Sequence, residues 1–271
     1  MNDALPPDLL PDADYGFSFK MRPGEVSEFY GVMPGDAAVL AERQELVRAF
    51  PQRHLLEDPA ANLALHELLE QMTNAGLVPG MVSGAPLLWL SDHLAPDLLL
   101  LLPDAQEVPH LRAAAVCFPS GWAPEEKLGL PLQAIHGVVP ALNATLGDRI
   151  QGFLQRLKPG SVYRRENWGL AATPELNLHP ARAFPSFQAP FDPTQVWFRV
   201  ERQAFHRLPT SGAVVFGIRL QIVPLAAFRK HYSQHAAGLA RGLQTMAPEM
   251  ASYKGLATIQ HALTTWLRAG E

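Results

Sequence analysis

The sequence has little cysteine and little net charge, and each shortage excludes a class of protein. The single cysteine among 271 residues cannot form an internal disulfide, which argues against a small secreted scaffold and fits a reducing compartment. Lys and Arg number 22 against 26 Asp and Glu, so the net charge is -4. We therefore expect no overall electrostatic attraction to nucleic acid or to an anionic membrane.

Long apolar stretches are also missing. The most apolar run, Leu98 to Leu102, is far shorter than the run of about 20 residues that a membrane-spanning helix needs. The first residues, MNDALPPDLLPDADYG, are acidic and proline-rich, and they lack the positive and apolar regions of a secretory signal peptide. We expect a soluble, cytoplasmic protein with neither a membrane nor a nucleic-acid partner.

Several familiar catalytic motifs are absent from the sequence. It contains no Walker A sequence, no dinucleotide-binding glycine pattern, no CxxC pair and no Gly-x-Ser-x-Gly elbow. The CxxCH sequence that attaches c-type haem is absent too, so any haem would be bound non-covalently.

Proline, by contrast, is abundant. The 25 prolines are scattered through apolar sequence, which predicts many short elements with fixed turns rather than disorder. Residues 1–34, which contain five of the prolines, are predicted to form an extended arm. Predicted helices run from Asp36 to Phe50, from Pro59 to Asn74, from about Val138 to Leu157, and from Leu225 onward with a break near Ala247.

Short apolar or alternating runs between turn residues predict the strands. These runs are PLLWL, DLLLLL and LRAAAVCF between Ala85 and Cys117, then VYRRENWGLAAT, VWFRVERQAFHRL and GAVVFGIRLQIV. Residues 173–193 form a proline-rich loop of a length that often serves as a lid or a partner surface. The pattern predicts a single α+β domain with a central antiparallel sheet flanked by helices.

The stretch from Val116 to Pro140 concentrates residues that could hold a ligand. From its position alone, His136 fits a structural hydrogen-bonding role more readily than a ligand role. Cys117 fits a small buried hydrophobic residue on a strand. A second pair, His231 and His235, is spaced to share one helix face, but no third metal ligand stands nearby in the sequence.

Two predicted strands carry charge where strands are usually apolar. Alternation places Arg199 and Glu201 on one face of strand 196–207, and Arg202 on the other. The charged face is either a solvated outer surface or the polar wall of a pocket, to which Arg219 of the partner strand could contribute. Strand 162–170 is similar, and its alternative is an edge strand that uses charge to resist aggregation.

Three segments resemble the haem-dependent oxidative N-demethylase family, whose members are haem-binding alpha subunits. The segments are FPSGWAPEEKLGLPLQAIHGVVP, RRENW and WFRVERQAFHRLPTSGAVVFGIR. The resemblance covers most of the chain, and the order and spacing of the segments make it specific. The chain departs from the family's histidine motif at Val138, which stands where the family has a proline. This departure leaves a haem-free, non-catalytic relative open as an alternative. A haem-binding sensor module is a second alternative, because the PAS-like folds that the resemblance implies commonly sense rather than catalyse.

The resemblance implies a PAS-like sheet that holds haem b, with residues 35–271 as the haem-binding domain and its C-terminal helices. It also implies a monooxygenase-type oxidoreductase. The expected reaction converts a small secondary amine such as dimethylamine to a primary amine and formaldehyde with dioxygen. Electrons would come from partner subunits that carry FMN and an iron–sulfur cluster.

The resemblance further implies roles for individual residues. His136 is the expected axial ligand of the haem iron through Nε2, with Cys117 or another histidine as the alternative. Glu201, and after it Glu166, is the expected carboxylate that holds the protonated amine. The other expected cofactor-binding residues are Lys127, Arg165, Arg199, Arg202 and Arg219 at the propionates and Trp168 at an apolar wall.

Overall fold

Short elements predominate in the chain, as its many prolines predict. The computed structural model describes residues 5–81 and 83–269; the first four residues of the predicted arm, residue 82 and the last two residues lie outside the description. The strands are β1 (Arg22–Gly24), β2 (Leu55–Glu57), β3 (Asp97–Pro103), β4 (Pro109–Ala115), β5 (Val162–Ala171), β6 (Trp197–Arg207) and β7 (Val214–Pro224).

The described helices surround these strands. They are α1 (Val26–Tyr30), α2 (Asp36–Ala49), α3 (Pro51–His54), α4 (Asn62–Asn74), α5 (Pro86–His93), α6 (Leu132–His136), α7 (Leu142–Arg156), α8 (Leu225–His231), α9 (Ser233–Thr245), α10 (Pro248–Tyr253) and α11 (Gln260–Arg268). None of them is both long enough and apolar enough to cross a membrane.

One open antiparallel sheet organises the molecule, with the strand order β1-β5-β6-β7-β3-β4-β2. β6 and β7 form its centre and pair along their whole length, from Trp197 opposite Pro224 to Arg207 opposite Val214. β1 pairs with only the first three residues of β5. The prediction of a single α+β domain with an antiparallel sheet and flanking helices is confirmed.

Both faces of the sheet carry helices. On one face, α4 and α5 cover one end, and α8 to α11 cover the other end around Phe198 and Val200. On the opposite face, α6 and α7 pack Ile150 and Phe153 against the stacked rings of Phe205 and Phe216. We call this second surface the α6–α7 face.

Two sequence predictions of secondary structure were wrong. The run PLLWL forms helix α5 and not a strand, because Pro86 occupies the first helical position, where a missing N–H costs nothing. Leu87 and Leu90 are buried at helical spacing. The helix predicted from Val138 begins only at Leu142, because Ala141 takes a left-handed φ of 59° directly after Pro140. His136 therefore ends the separate helix α6.

The arm packs its leucines against the C-terminal helices. Leu5, Leu9 and Leu10 are buried in the same cluster as Leu239 and Leu243 of α9. The backbone of the arm comes very close to α9 at Gly238, where a Cβ atom would lie 2.1 Å from the carbonyl oxygen of Leu10. Only glycine leaves room for the arm at this point of the helix.

Replacing Gly238 with alanine is expected to destabilise the protein by about 1–3 kcal/mol, since the new methyl group overlaps backbone that cannot rotate away. Thermal unfolding measures the change. Gly242→Ala is the matched control, because it lies in the same helix and its Cβ would meet no atom within 4 Å. The control is expected to keep or raise stability. Equal losses in both variants would contradict the packing of the arm against α9.

Candidate functional site

The strand register brings three of the sequence-predicted polar residues to the α6–α7 face. Arg165 lies opposite Gln203, and Glu201 lies opposite Asn167. Arg199 pairs with Gly169 on the same face. Side chains alternate along a strand, so these residues share the surface that carries Phe205, against which α7 packs.

His136 stands at the C-terminal end of α6, close enough to Arg165 for the charge of that residue to act on it. It is half-buried, and neither ring nitrogen forms a hydrogen bond with a described residue. Burial, and then the positive charge of Arg165, lower the pKa of His136 below its ordinary value. The ring is therefore kept neutral near neutral pH, which is the form of imidazole that binds a metal.

Arg165 offers a hydrogen-bond donor that the described protein does not use. Its Nε atom is buried and has no hydrogen-bond partner. Burial lowers the pKa of Arg165, and the negative charge of Glu201 partly opposes that change. An unpaired buried donor is costly unless an acceptor reaches it. The position thus favours an anionic ligand.

Glu201 is held in place by its neighbours. Its carboxylate accepts a hydrogen bond of 2.9 Å from Gln203 Nε2 and one of 3.3 Å from Asn167 Nδ2. Its negative charge also acts on Lys254, which follows α10; burial lowers the pKa of Lys254, and Glu201 raises it. The ammonium group of Lys254 lies 4.9 Å from the centre of the Trp168 ring.

Lys254 is a residue that the sequence did not reveal. It sits in a predicted helical region, carries no motif and lies 53 positions from Glu201 in the chain by simple difference of residue numbers. Only the packing of the C-terminal helices beside β5 and β6 brings it near. An interrupted apolar pattern at Lys254-Gly255 was the one signal available, and it indicates a helix end rather than a binding site.

Open space lies above the sheet at Gly169. An ideal Cβ atom on Gly169 would meet no other heavy atom within 4 Å, although the residue is paired with Arg199 inside the antiparallel ladder of β5 and β6. A glycine inside a strand often marks a place where a ligand approaches the backbone. We use "the candidate site" for His136, Arg165, Gly169 and Glu201 together.

Arg199 is buried and fixes a loop. Its guanidinium group donates to the carbonyl oxygens of Glu175 at 2.8 Å and Leu176 at 3.0 Å, and to Ser120 Oγ at 3.3 Å. Burial lowers the pKa of Arg199 to about 10. The residue ties the proline-rich loop 173–193 to the stretch from Val116 to Pro140.

Arg219 lies on the opposite face of the sheet, and each of the three nitrogens of its guanidinium group has a hydrogen-bond partner. It donates to the carbonyl oxygens of Phe29 and Gly31, each at 2.8 Å, and forms an ion pair of 2.6 Å with Asp36. Sequence reasoning missed these contacts because two of the three acceptors are backbone carbonyl groups.

Four further predicted residues do not join the candidate site. Glu166 faces the other side of the sheet and forms an ion pair with Arg22. Arg202, on that same side, donates to Gln221 Oε1 at 3.0 Å. Trp168 stacks on Phe198, also on that side. Lys127 follows a 3-10 turn, where its Nζ atom lies 3.9 Å from Glu126.

Cys117 and the histidine pair of the last helices are placed elsewhere. Burial raises the pKa of the Cys117 thiol to about 12, which keeps it protonated and unsuited to bind a metal as thiolate. His235 Nε2 forms a 2.8 Å hydrogen bond with the carbonyl oxygen of Pro6. Within residues 5–81 and 83–269, no three His, Cys, Asp or Glu side chains come together to hold a metal ion.

A protein-family model matches most of the chain. Residues 42–264 match the family model described as haem-dependent oxidative N-demethylase, alpha subunit-like. The match covers well over half of the chain and includes His136, Arg165, Glu201 and Lys254.

Proposed function

Because the chain belongs to the haem-dependent oxidative N-demethylase, alpha subunit-like family, we propose that it binds haem b on the α6–α7 face and demethylates a small secondary amine. One observation carries the proposal: the free, neutral ring of His136 lies beside Arg165, whose buried Nε has no partner. A haem site needs an axial ligand for the iron and a cation for a propionate, and these two residues can supply them.

The residues present fit haem in three respects. His136 supplies a neutral imidazole, and the space above Gly169 leaves room against the sheet, which we propose to be PAS-like. Arg165 supplies a cation for one propionate beside the carboxylate of Glu201. Lys254 lies over Trp168, on the other side of the sheet, so we do not assign it to a propionate. Arg199 and Arg219 hold the protein itself together, so we do not assign them to the propionates.

The proposed reaction is balanced by dioxygen and an outside reductant. Dimethylamine, dioxygen, two electrons and two protons give methylamine, formaldehyde and water. When bound, haem supplies the oxidation of the N-methyl carbon with dioxygen. We assign the electrons to partner subunits with FMN and an iron–sulfur cluster, since the sequence has no motif for either group.

The protein's part is to hold and orient the amine. A secondary amine is protonated at neutral pH, and the carboxylate of Glu201 can accept its N–H groups. Gln203 and Asn167 keep that carboxylate in position. We prefer Glu201 to Glu166, which faces away and pairs with Arg22. The loop anchored by Arg199 would exclude water from the same end of the sheet.

Spectroscopy and turnover together test the proposal. The purified chain is loaded with haem, and dimethylamine, dioxygen and a chemical reductant are added. We expect a Soret band, and formaldehyde and methylamine in equal amounts. Failure of the wild-type chain to take up haem would overturn the proposal at its base. Uptake of haem without formaldehyde from any small secondary amine would favour a sensor instead.

Replacing Gly169 with valine is expected to block haem without harming the fold. The new side chain enters the open space, and valine suits a strand better than glycine does, so stability is expected to stay level or rise by about 0.5–1 kcal/mol. Haem titration is expected to show weaker binding in the order glycine, alanine, valine. Equal haem affinity across the three proteins would place the haem elsewhere.

A further inference from the structure

Two buried histidines from distant parts of the chain meet beneath the proline-rich loop 173–193. His54 ends α3, and His179 belongs to the loop itself. Each residue is only 2% exposed, and the two ring centres lie 6.2 Å apart. The proposed function uses neither of them. We call these two residues the buried histidine pair.

The hydrogen bonds of His179 require a neutral ring. Its Nδ1 atom accepts the backbone N–H of Ala181 at 3.1 Å, so this nitrogen carries a lone pair and no proton. Its Nε2 atom lies 3.0 Å from Glu125 Oε2 and donates to that carboxylate. A second proton on the ring would break the bond to Ala181. In its neutral form, His179 therefore ties the loop to the 3-10 turn Pro124–Glu126.

His54 is kept neutral by its surroundings. Its Nδ1 atom lies 2.9 Å from the carbonyl oxygen of Val116, which can only accept, so Nδ1 carries the proton of the ring. Burial is the largest cause of a lowered pKa at His54, and the adjacent His179 lowers it further. The carbonyl group of Val116 and the charges of Asp97 and Glu125 oppose that change without reversing it.

Charged groups from three elements surround the pair. Asp97, at the start of β3, already accepts hydrogen bonds from Arg43 and from two backbone N–H groups. Arg53 lies beside His54 in α3, and its positive charge acts on Glu125. The Glu125 side chain is 33% exposed and bonded to His179. This single carboxylate cannot balance a proton on both rings.

The pair fastens the part of the loop that lies next to the candidate site. Arg199 donates to the carbonyl oxygens of Glu175 and Leu176, a few residues before His179. Arg199 is the cross-strand partner of Gly169, above which the sheet is open. The loop is therefore held beside this open space from two sides, by Arg199 and by the buried histidine pair.

We propose that the buried histidine pair makes the proline-rich loop open in acid: the neutral rings hold it over the Gly169 end of the candidate site, and proton uptake releases it. Once the loop is open, both rings reach water and accept a proton readily. The closed loop is therefore fully stable above the pKa of a hydrated histidine, about 6.5, and loses stability as the pH falls below that value. The inference rests on the proposed function only for what the loop covers.

Native-state amide exchange of residues 173–182 in the full chain tests the inference. Exchange is measured from about pH 7.5 to about pH 5 and corrected for the intrinsic rate at each pH. Below about pH 6, we expect protection to fall about tenfold per pH unit for each histidine that gains a proton on opening. Amides of β6 in the centre of the sheet are the internal reference, and they are expected to stay protected.

A double variant, His54→Gln with His179→Gln, keeps polar side chains at both positions but cannot take up the protons. We expect its loop protection to be the same in acid and at neutral pH. His66→Gln is the control, since His66 is exposed on α4, and it is expected to behave as the wild type does.

Constant protection of the wild-type loop across this pH range would overturn the inference, whatever the stability of the variants. So would an acid-induced loss that persists in the double variant. The exchange measurement needs no haem, so a wild-type chain that binds no haem would refute the proposed function and leave the behaviour of the loop to be decided separately.

Discussion

Replacing His136 with alanine is expected to remove the Soret band of the haem-loaded protein and to weaken haem binding by at least about 100-fold. The estimate follows from the loss of an iron ligand, since even the loss of a ligand's hydrogen-bond partner typically costs 10–100-fold. Optical titration with haem measures the change. Added imidazole is expected to restore part of the band, because it can enter the space left by the side chain and ligate the iron.

Two other variants make the result specific to His136. His66→Ala is the histidine control: His66 is exposed on α4, where its Nδ1 forms a hydrogen bond with the carbonyl oxygen of Asn62. Cys117→Ala examines the thiolate alternative, which the raised pKa of Cys117 disfavours. Both variants are expected to bind haem as the wild type does. An unchanged Soret band in His136→Ala would remove His136 as the axial ligand.

The largest loss of stability is expected from Arg43→Met, at about 3–5 kcal/mol, because it leaves a buried carboxylate without its cation. Arg43 is fully buried, and its Nη2 atom lies 2.8 Å from Asp97 and 2.8 Å from the carbonyl oxygen of Ala95. The Asp97 carboxylate also accepts the backbone N–H groups of Cys117 and Phe118. Asp97 thus joins the start of β3 to the stretch that leads to His136.

Thermal unfolding is expected to show a lower melting temperature in Arg43→Met, by roughly 10 °C for a chain of this size. Arg112→Met is the matched control, since the pair of Arg112 with Asp58 is partly exposed and its loss is expected to lower the melting temperature far less. Combining Arg43→Met with Asp97→Leu should recover part of the loss, because it removes the unpaired charge. Equal effects in Arg43→Met and Arg112→Met would refute the buried ion pair as a major support.

Strand patterns in the sequence predicted the sheet well because they rest on local chemistry. β5, β6 and β7 alternate in character and are bounded by turn residues, and β3 is a continuous apolar run. The failure at α5 has the same origin, since a short apolar run fits a buried strand and a buried helix equally well. Pro86 at the first helical position favours the helix, because proline is common there and its missing N–H costs no hydrogen bond.

The candidate site was only partly predictable. Strand alternation places Arg199 and Glu201 on one face, and the family resemblance pointed to His136. The local sequence pattern does not, however, predict which distant residues a side chain will contact. Nothing near Arg199 in the sequence indicates that it binds the carbonyl oxygen of Glu175. Lys254 comes near Glu201 only through the packing of the C-terminal helices, which a single sequence does not report.

The arm has a consequence for the order in which the molecule can be assembled. Its hydrogen bonds span most of the chain: Tyr15 N–H donates to Thr245 Oγ1 across 230 positions, and Pro6 O meets His235 across 229. Contacts of such long sequence separation are slow to form. During synthesis, the buried leucines of the arm have no partner until α9 leaves the ribosome. The arm therefore packs onto the body of the protein late in folding. Until then, its leucines are exposed apolar surface that a chaperone could bind while the chain is still growing.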